Sequence, residues 1–224
     1  MKNIKSSLLL LLFCLVFTAA KTQDKKSEKI DASVKVLNDF VAMKEKIPQK
    51  LLDVTQGIII IPKLINAGLG IGGKRGKGIA VVKREDGTWS DPAFITLTGG
   101  SIGFQIGVQS IDLVLIFKNR ETLEKIGRGS FTLGGDASVT AGPVGRNSSA
   151  STDYKMEAEI YSYSRSKGLF AGISLSGSSL SVDSKSNAAF YGKETDAKTI
   201  FSGSANQTSS SVTNLKTTLQ HLHQ

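Results

Sequence analysis

From Gly57 onward, the chain consists of short apolar runs rich in β-branched residues, separated by glycine-rich turns. The clearest run, SIGFQIGVQ, alternates apolar side chains with glycine or glutamine, which is the period of a strand with one apolar face. The other predicted strands are residues 57–61, 79–82, 112–117, 130–140, 155–164, 169–176 and 179–182. A tight hairpin turn is predicted at Asp86-Gly87, after the strand of residues 79–82. Because little helix lies between them, the pattern favours an antiparallel sheet that is closed into a barrel or folded over itself.

Helical patterns flank this β-rich region. Residues 29–47 carry one apolar stripe at helical spacing, formed by Ile30, Val34, Leu37 and Val41, and Pro48 ends that helix. A second short helix is predicted over residues 49–56. Residues 199–224 form a polar tail with a weak stripe, which either packs as a last helix or remains mobile. The predicted fold class is therefore α+β, a single antiparallel β-rich domain with an N-terminal helix.

The first twenty residues have the pattern of a secretory signal peptide. Lys2 and Lys5 precede an apolar run of residues 8–17, and small residues end at Ala20. About ten apolar residues are too few for a transmembrane helix, which needs roughly twenty. The predicted organisation is a signal peptide over 1–20, a polar link over 21–28, a domain over 29–198 and the tail. The protein is expected to be exported, periplasmic or secreted, and peripheral on a membrane.

The chain is strongly basic, with a formal net charge of +9 that falls by two when the predicted signal peptide is removed. For an exported protein, this charge favours membrane headgroups or acidic polymers as partners rather than nucleic acid. The alternative is that the cations only keep the surface soluble.

The stretch AGLGIGGKRGKG, residues 67–78, partly matches two nucleotide-binding loops. Both need a helix after the glycines, whose N-terminal amides hold the phosphates, but here a β-branched run follows. A P-loop also needs Ser or Thr after its lysine, and Arg75 stands there. The stretch is interpreted instead as a hairpin, with residues 69–73 and 78–83 as strands. Its tip would present Lys74, Arg75 and Lys77 to anionic headgroups.

Side chains for catalysis and metal binding are scarce. The two histidines, His221 and His223, lie at the end of the tail, and the one cysteine, Cys14, lies in the predicted signal peptide. The body therefore lacks the residues of a Ser-His-Asp triad, a Cys-His pair or a histidine zinc site, and no cofactor is predicted. Carboxylates remain for a hydrolase, which stays open as an alternative: Asp86, Asp91, Asp112, Asp136, Glu157, Glu159 and Asp183.

Several stretches carry a resemblance to a known family. They are GIIIIPKLINAGLGIGGKRGKG, DGTWSDPAFITLTGGSIGFQIGVQSID, AGPVGR, IYSYSRSKGLFAGISLSG and NAAFYGK. In this order and with these glycines, the chain resembles the SYLF lipid-binding domain family, described as actin-binding in fungal members, over about residues 30–193. The resemblance implies a compact domain of antiparallel strands and helices. It also implies binding of anionic phospholipids, with phosphoinositide-like headgroups in eukaryotic members, where an amphipathic N-terminal helix joins a basic surface at the membrane.

The sequence therefore predicts a non-enzymatic, exported domain that binds anionic phospholipid through basic hairpin tips. The predicted lipid-binding residues are Lys63, Lys74, Arg75, Lys77, Arg165 and Lys167. The alternative is an envelope scaffold or protein-interaction module, actin-binding in eukaryotic relatives, whose protein partner the sequence does not name.

Overall fold

The structure is a computed structural model that describes residues 24–43, 47–141, 157–167, 169–170, 173–192 and 194–222. The predicted signal peptide, residues 1–20, lies outside the described residues.

Two long strands form the centre of the fold. β1, Gly57–Val82, and β2, Ala93–Phe117, pair as one antiparallel hairpin, from Gly57 opposite Phe117 to Ala80 opposite Ala93. At the turn between them, the Asp86 carboxylate accepts a hydrogen bond from the Thr88 amide at 2.9 Å, and Gly87 adopts a φ of 79°. A positive φ suits glycine, so the turn predicted at this Asp-Gly pair is confirmed.

In the part of the chain that the structure describes, five short strands complete a seven-stranded sheet. They are β3 Phe131–Thr132, β4 Val139–Ala141, β5 Ile160–Ser166, β6 Leu169–Phe170 and β7 Ser179–Val182. β1 lies along one side of β2, while β5 and β7 pair with opposite ends of its other side. Among the strand pairings of the described residues, only that of β4 with β5 is parallel. The predicted α+β class with a mainly antiparallel sheet is therefore confirmed.

The hairpin does not run straight. A strand of 26 residues would reach roughly 86 Å if fully extended. Instead β1 bends sharply between Gly68 and Gly72, where a Cβ on Gly68 would lie 3.1 Å from the Gly72 Cα. The pairing register shifts at the same point, between Leu69 and Gly70. The bend brings the two halves of β1 together, so that Gly78 packs on the Ile60 carbonyl.

The body of the sheet is buried on both faces. Ile58 and Ile60 belong to one core cluster, whereas Ile59 and Ile61 belong to a second cluster on the opposite face. Side chains alternate between faces along a strand, so a strand covered on both sides needs apolar residues at every position. This double burial explains the unbroken GIIII run.

Helices cover both faces. The first core cluster holds side chains of α1 (residues 24–41), α2 (Gln49–Asp53), α4 (Ser184–Tyr191) and α6 (Ser210–His221). The second holds side chains of α3 (Arg120–Glu124), a 3₁₀ turn (Lys125–Arg128) and α5 (Ala197–Phe201). α5 crosses the predicted domain end at residue 198.

The first and last helices differ from, or add to, what the sequence predicts. α1 begins at residue 24 rather than 29, and it packs Ile30, Leu37 and Phe40 into the core, while Val41 of the predicted stripe is exposed. In the tail, α6 buries its apolar stripe, and Lys216 Nζ lies 2.6 Å from the buried Asp91 carboxylate. The tail therefore contains a packed helix, Ser210–His221, which is one of the two alternatives that the sequence left open.

Candidate functional site

The predicted hairpin tip at residues 74–77 is wrong. Lys74 lies opposite Gly99 and Lys77 opposite Thr96, so these residues are in the middle of a continuous strand. The glycines between them do not make a turn. A Cβ on Gly76 would lie 2.6 Å from Ile61 Cγ2, so these glycines permit the close approach of the two halves of β1. The continuing strand also supports the rejection of a nucleotide loop, which needs a helix here.

After the bend, the second half of β1 lies alongside the first half, and this places Lys77 near Lys63. Lys63 stands at a bulge, since the register shifts between Ile61 and Leu64. It adopts a φ of 57°, and its amide donates a hydrogen bond to Asp112 Oδ1 at 3.0 Å. A non-glycine residue rarely takes this conformation, so the bulge is held by that carboxylate. The Lys63 side chain is exposed.

α1 adds two further lysines to the same surface. Lys26 Nζ donates a hydrogen bond to Ser186 Oγ at 2.7 Å and lies 5.7 Å from the centre of the Phe94 ring. Burial lowers the pKa of Lys29, and repulsion from Lys63, Lys26 and Lys77 lowers it further. The contacts place these lysines on one surface: Lys29 lies one helical turn from Lys26, Ser186 and Asp183 connect Lys26 to Lys77, and Gly76 packs beside Leu64. Lys26, Lys29, Lys63 and Lys77 are called the lysine cluster below.

One carboxylate is built into the edge of the lysine cluster. Lys77 Nζ lies 2.6 Å from Asp183 Oδ2, and Asp183 Oδ1 also accepts a hydrogen bond from the Ser186 amide at the start of α4. Burial lowers the pKa of Lys26. Attraction by Asp183 raises this pKa, and repulsion from Lys77 lowers it. Because four ammonium groups here face this one built-in carboxylate, the lysine cluster keeps a net positive charge, which favours an anion.

Arg165, a predicted lipid-binding residue, serves the fold instead. Its Nη2 lies 2.5 Å from Asp39 Oδ2 and 2.9 Å from Asp112 Oδ2. The side chain is 15% exposed, and its guanidinium lies 5.6 Å from the centre of the Phe40 ring. Arg165 therefore ties α1 to β2 and β5, and it orients the helix that supplies Lys26 and Lys29.

Lys74 is also buried rather than presented to solvent. It is 6% exposed, and its Nζ donates a hydrogen bond to the Ser174 carbonyl oxygen. Burial lowers the pKa of this ammonium. Its position beneath the segment before β7 removes it from the surface that a ligand reaches.

Arg75 and Lys167 remain at the surface. Arg75 and Lys77 are two residues apart on β1 and both are exposed, so they project from the same face of the strand. Lys167 is exposed in the turn between β5 and β6, with a φ of 50°. Arg75 therefore extends the lysine cluster along β1, while Lys167 occupies a separate turn.

The sequence interpretation missed Lys26 and Lys29 as site residues. It placed residues 21–28 in a polar link and began the helix too late, at residue 29. Lys26 lies four residues before the buried Ile30, so extending the stripe back by one turn would have placed it on the helix. No local signal indicates that this helix lies beside residues 63 and 77, because the bend of β1 creates that proximity.

Among the described residues, no helix has both the length and the apolar character to cross a bilayer. Within the same part of the chain, no group of three or more His, Cys, Asp or Glu side chains is arranged to hold a metal ion.

Comparison with known proteins agrees with the resemblance in the sequence. The Ysc84 family model, described as "Las17-binding protein actin regulator", matches residues 98–222. LAS seventeen-binding protein 3 of Saccharomyces cerevisiae is 37% identical over 186 residues, covering 82% of this chain and 40% of that protein. SH3 domain-containing YSC84-like protein 1 of Homo sapiens is 34% identical over 184 residues, covering 82% of this chain and 54% of that protein. The chain thus spans about half, or less, of each of these relatives. It belongs to the Ysc84 family, the SYLF family that its sequence resembles.

Proposed function

We propose that this domain is a non-enzymatic module that binds anionic phospholipid headgroups on a membrane surface. The observation that carries the proposal is the lysine cluster. Ser186 and Asp183 connect Lys26 of α1 to Lys77 of β1, and the contact of Gly76 with Leu64 brings the Lys63 segment alongside. We also propose that the protein is exported and works as a peripheral protein, periplasmic or secreted.

Electrostatics favours a phosphate-bearing surface as the ligand. Each cation near an anionic membrane contributes roughly 1 kcal/mol, and charges interact within about 10 Å at 0.1 M salt. A bound phosphate group would also relieve the repulsion that lowers the pKa of Lys29. Phospholipid phosphates, including phosphoinositide-like headgroups, supply several negative charges on one surface.

The cluster is positioned before any ligand arrives. The Arg165–Asp39 ion pair fastens α1, the Lys26–Ser186 hydrogen bond fastens the start of that helix, and Asp112 holds the bulge at Lys63. Ordering charged side chains costs free energy on binding, so an arrangement already held by the fold binds more tightly.

Four of the carboxylates that a hydrolase could use form structural ion pairs or hydrogen bonds, which agrees with a non-enzymatic role. Asp91 pairs with Lys216, and Asp112 pairs with Arg165. Asp136 accepts a hydrogen bond from the Thr132 amide, and Asp183 pairs with Lys77. These groups hold the sheet, its turns and its helices together.

Protein binding is the second candidate function. The matched family is described as Las17-binding and as an actin regulator, and LAS seventeen-binding protein 3 is named for such an interaction. A basic surface also suits an acidic protein segment. In this case the lysine cluster would contact protein carboxylates rather than lipid phosphates.

Sedimentation with vesicles tests the proposal. The protein is expected to pellet with vesicles that contain phosphatidylserine or a phosphoinositide, to pellet less as salt rises, and to stay in solution with phosphatidylcholine alone. Equal behaviour with both vesicle types would contradict it. Capture of a defined acidic protein without any vesicle binding would favour the second candidate. Mass spectrometry of the exported protein tests the predicted cleavage after Ala20.

A further inference from the structure

The bend of the β1–β2 hairpin forms a projection beyond the body of the sheet. It comprises residues 65–73 of β1 and 99–110 of β2, and it is called the hairpin apex. Both ends of each strand lie in the body of the sheet, where Gly57 pairs with Phe117 and Ala80 pairs with Ala93. The backbone of the hairpin apex pairs only between its own two strands, because β5 and β7 pair with β2 outside it.

The hairpin apex exposes large apolar side chains. Ile71 is 82% exposed and Val108 is 72% exposed, and Ile65 is 43% exposed. Leu169 in β6 is 74% exposed. By contrast, the aliphatic side chains of the same two strands in the body are buried on both faces. Exposed aliphatic residues of this size, gathered at one end of a protein, indicate an interaction surface.

Three of these side chains are brought together around Ser110. Ile65 lies opposite Ser110 in the hairpin, and Val108 lies two residues from Ser110 on the same strand. The Ser110 carbonyl accepts a hydrogen bond from Ser166 Oγ at 3.2 Å, and Ser166 lies opposite Leu169. The turn carrying Leu169 therefore lies against the base of the hairpin apex.

Exposed cations lie beside two of these apolar positions. Lys63 is two residues before Ile65, and Lys167 is two residues before Leu169. Apolar side chains next to cations suit the boundary between phosphate headgroups and acyl chains, because each group meets the layer that it prefers. A partner with only polar groups would leave the aliphatic side chains without apolar contacts, and a partner with only apolar groups would leave the lysines without anions.

We propose that Ile71 and Val108 of the hairpin apex, together with Leu169 of the neighbouring β6, insert into the acyl boundary of an anionic membrane, while Lys63 and Lys167 contact the phosphates. The inference rests on the proposed function and names the part of the domain that enters the bilayer. α1 does not serve this purpose, because its apolar face is packed in the core. Insertion of such side chains reaches about 5–10 Å into the boundary.

A site-specific fluorophore tests the insertion directly. The full chain has one cysteine, Cys14, so a Cys14→Ser background carries one new cysteine for an environment-sensitive label. Ile71→Cys reports on the hairpin apex, and Glu85→Cys, exposed in the turn joining β1 to β2, is the matched control. With phosphatidylserine vesicles, emission at residue 71 is expected to shift to the blue and to resist an aqueous quencher, and emission at residue 85 is expected to stay unchanged.

The outcomes separate the inference from the proposed function. If the protein pellets with anionic vesicles but the label at residue 71 keeps its aqueous emission, the hairpin apex does not insert and only headgroup binding stands. If the protein does not pellet, both proposals fail. A blue shift without vesicles that grows with protein concentration would mean that a second copy covers the hairpin apex, and it would overturn the inference.

Unlabelled variants give a second readout. Ile71→Ser with Val108→Ser is expected to weaken vesicle binding about tenfold, because binding grows with the apolar area buried in the membrane. Val54→Ser removes an exposed valine outside the hairpin apex and is expected to leave binding unchanged. Equal binding by all three proteins would overturn the inference.

Discussion

Arg165 Nη2 lies 2.5 Å from Asp39 Oδ2, and this ion pair joins β5 to α1. Burial opposes the charged form of Asp39, but hydrogen bonds from Lys35 and Arg165 outweigh it and lower the pKa of the carboxyl below its ordinary 3.8. The folded protein therefore resists protonation of Asp39, and the stability that this group contributes is present above about pH 4. It is lost as the pH falls through the lowered pKa.

The first prediction concerns this ion pair. Asp39→Asn is expected to lower the free energy of unfolding at pH 7 by roughly 1–2 kcal/mol and to reduce its loss between pH 4 and pH 2. Urea denaturation at several pH values measures both effects. Asp31→Asn, which removes an exposed carboxyl of the same helix, is the control. A wild-type pH dependence in Asp39→Asn would show that the ion pair does not stabilise the fold.

The second prediction tests the close packing between the two halves of β1. A Cβ on Gly78 would lie 2.0 Å from the Ile60 carbonyl oxygen, a contact that requires the backbone to move. Gly78→Ala is therefore expected to cost at least about 3 kcal/mol of unfolding free energy. Gly100→Ala, whose Cβ would meet nothing within 4 Å, is the matched control. Equal thermal stability of the two variants would contradict the close packing of Gly78 on Ile60.

Much of the fold follows from local sequence patterns. The buried run of residues 57–61, the Asp-Gly turn and the stripe in residues 29–47 each depend on neighbours in sequence, and each was predicted. The bend at Gly68–Gly72 was misplaced, because glycines permit turns, bulges and close packing alike. Only the contact of Gly78 with Ile60, 18 positions away, shows which of these uses applies.

The candidate site was predicted in part for the same reason. Lys63 and Lys77 were selected for their charge, and the structure places both in the lysine cluster. Lys74 and Arg165 have the same charge but are taken into the fold by Ser174 and by Asp39 with Asp112. Charge is visible in a sequence, whereas burial depends on which distant segments cover a residue.

The third prediction concerns mutual repulsion within the lysine cluster. Lys63→Gln removes one of the charges that lower the pKa of Lys29, so that pKa is expected to rise. Nuclear magnetic resonance of labelled lysine side chains measures the titration. Lys125→Gln, a neutralised lysine on the 3₁₀ turn, is expected to leave the Lys29 titration unchanged. A Lys29 pKa that is the same in all three proteins would disprove the proximity of these charges.

The fourth prediction separates Lys74 from the surface cations. Burial lowers its pKa in the folded state, so protonated Lys74 is a cost that disappears as the pH rises through the lowered value toward 10.5. Lys74→Met is expected to reduce the gain in stability over that alkaline range, to change stability at pH 7 by less than about 1 kcal/mol and to leave vesicle binding unaltered. Weaker binding by this variant, with its fold intact, would return Lys74 to the site.

The most direct test of the central claim compares two charge-matched variants in vesicle sedimentation. Lys29→Gln with Lys63→Gln neutralises half of the lysine cluster, and Lys125→Gln with Lys198→Gln neutralises two exposed lysines on elements of the other face. With phosphatidylserine vesicles at 0.1 M salt, the first variant is expected to bind about tenfold or more weakly than wild type, and the second to bind like wild type. Equal weakening of both would show that net charge, rather than the lysine cluster, governs binding and would contradict the account.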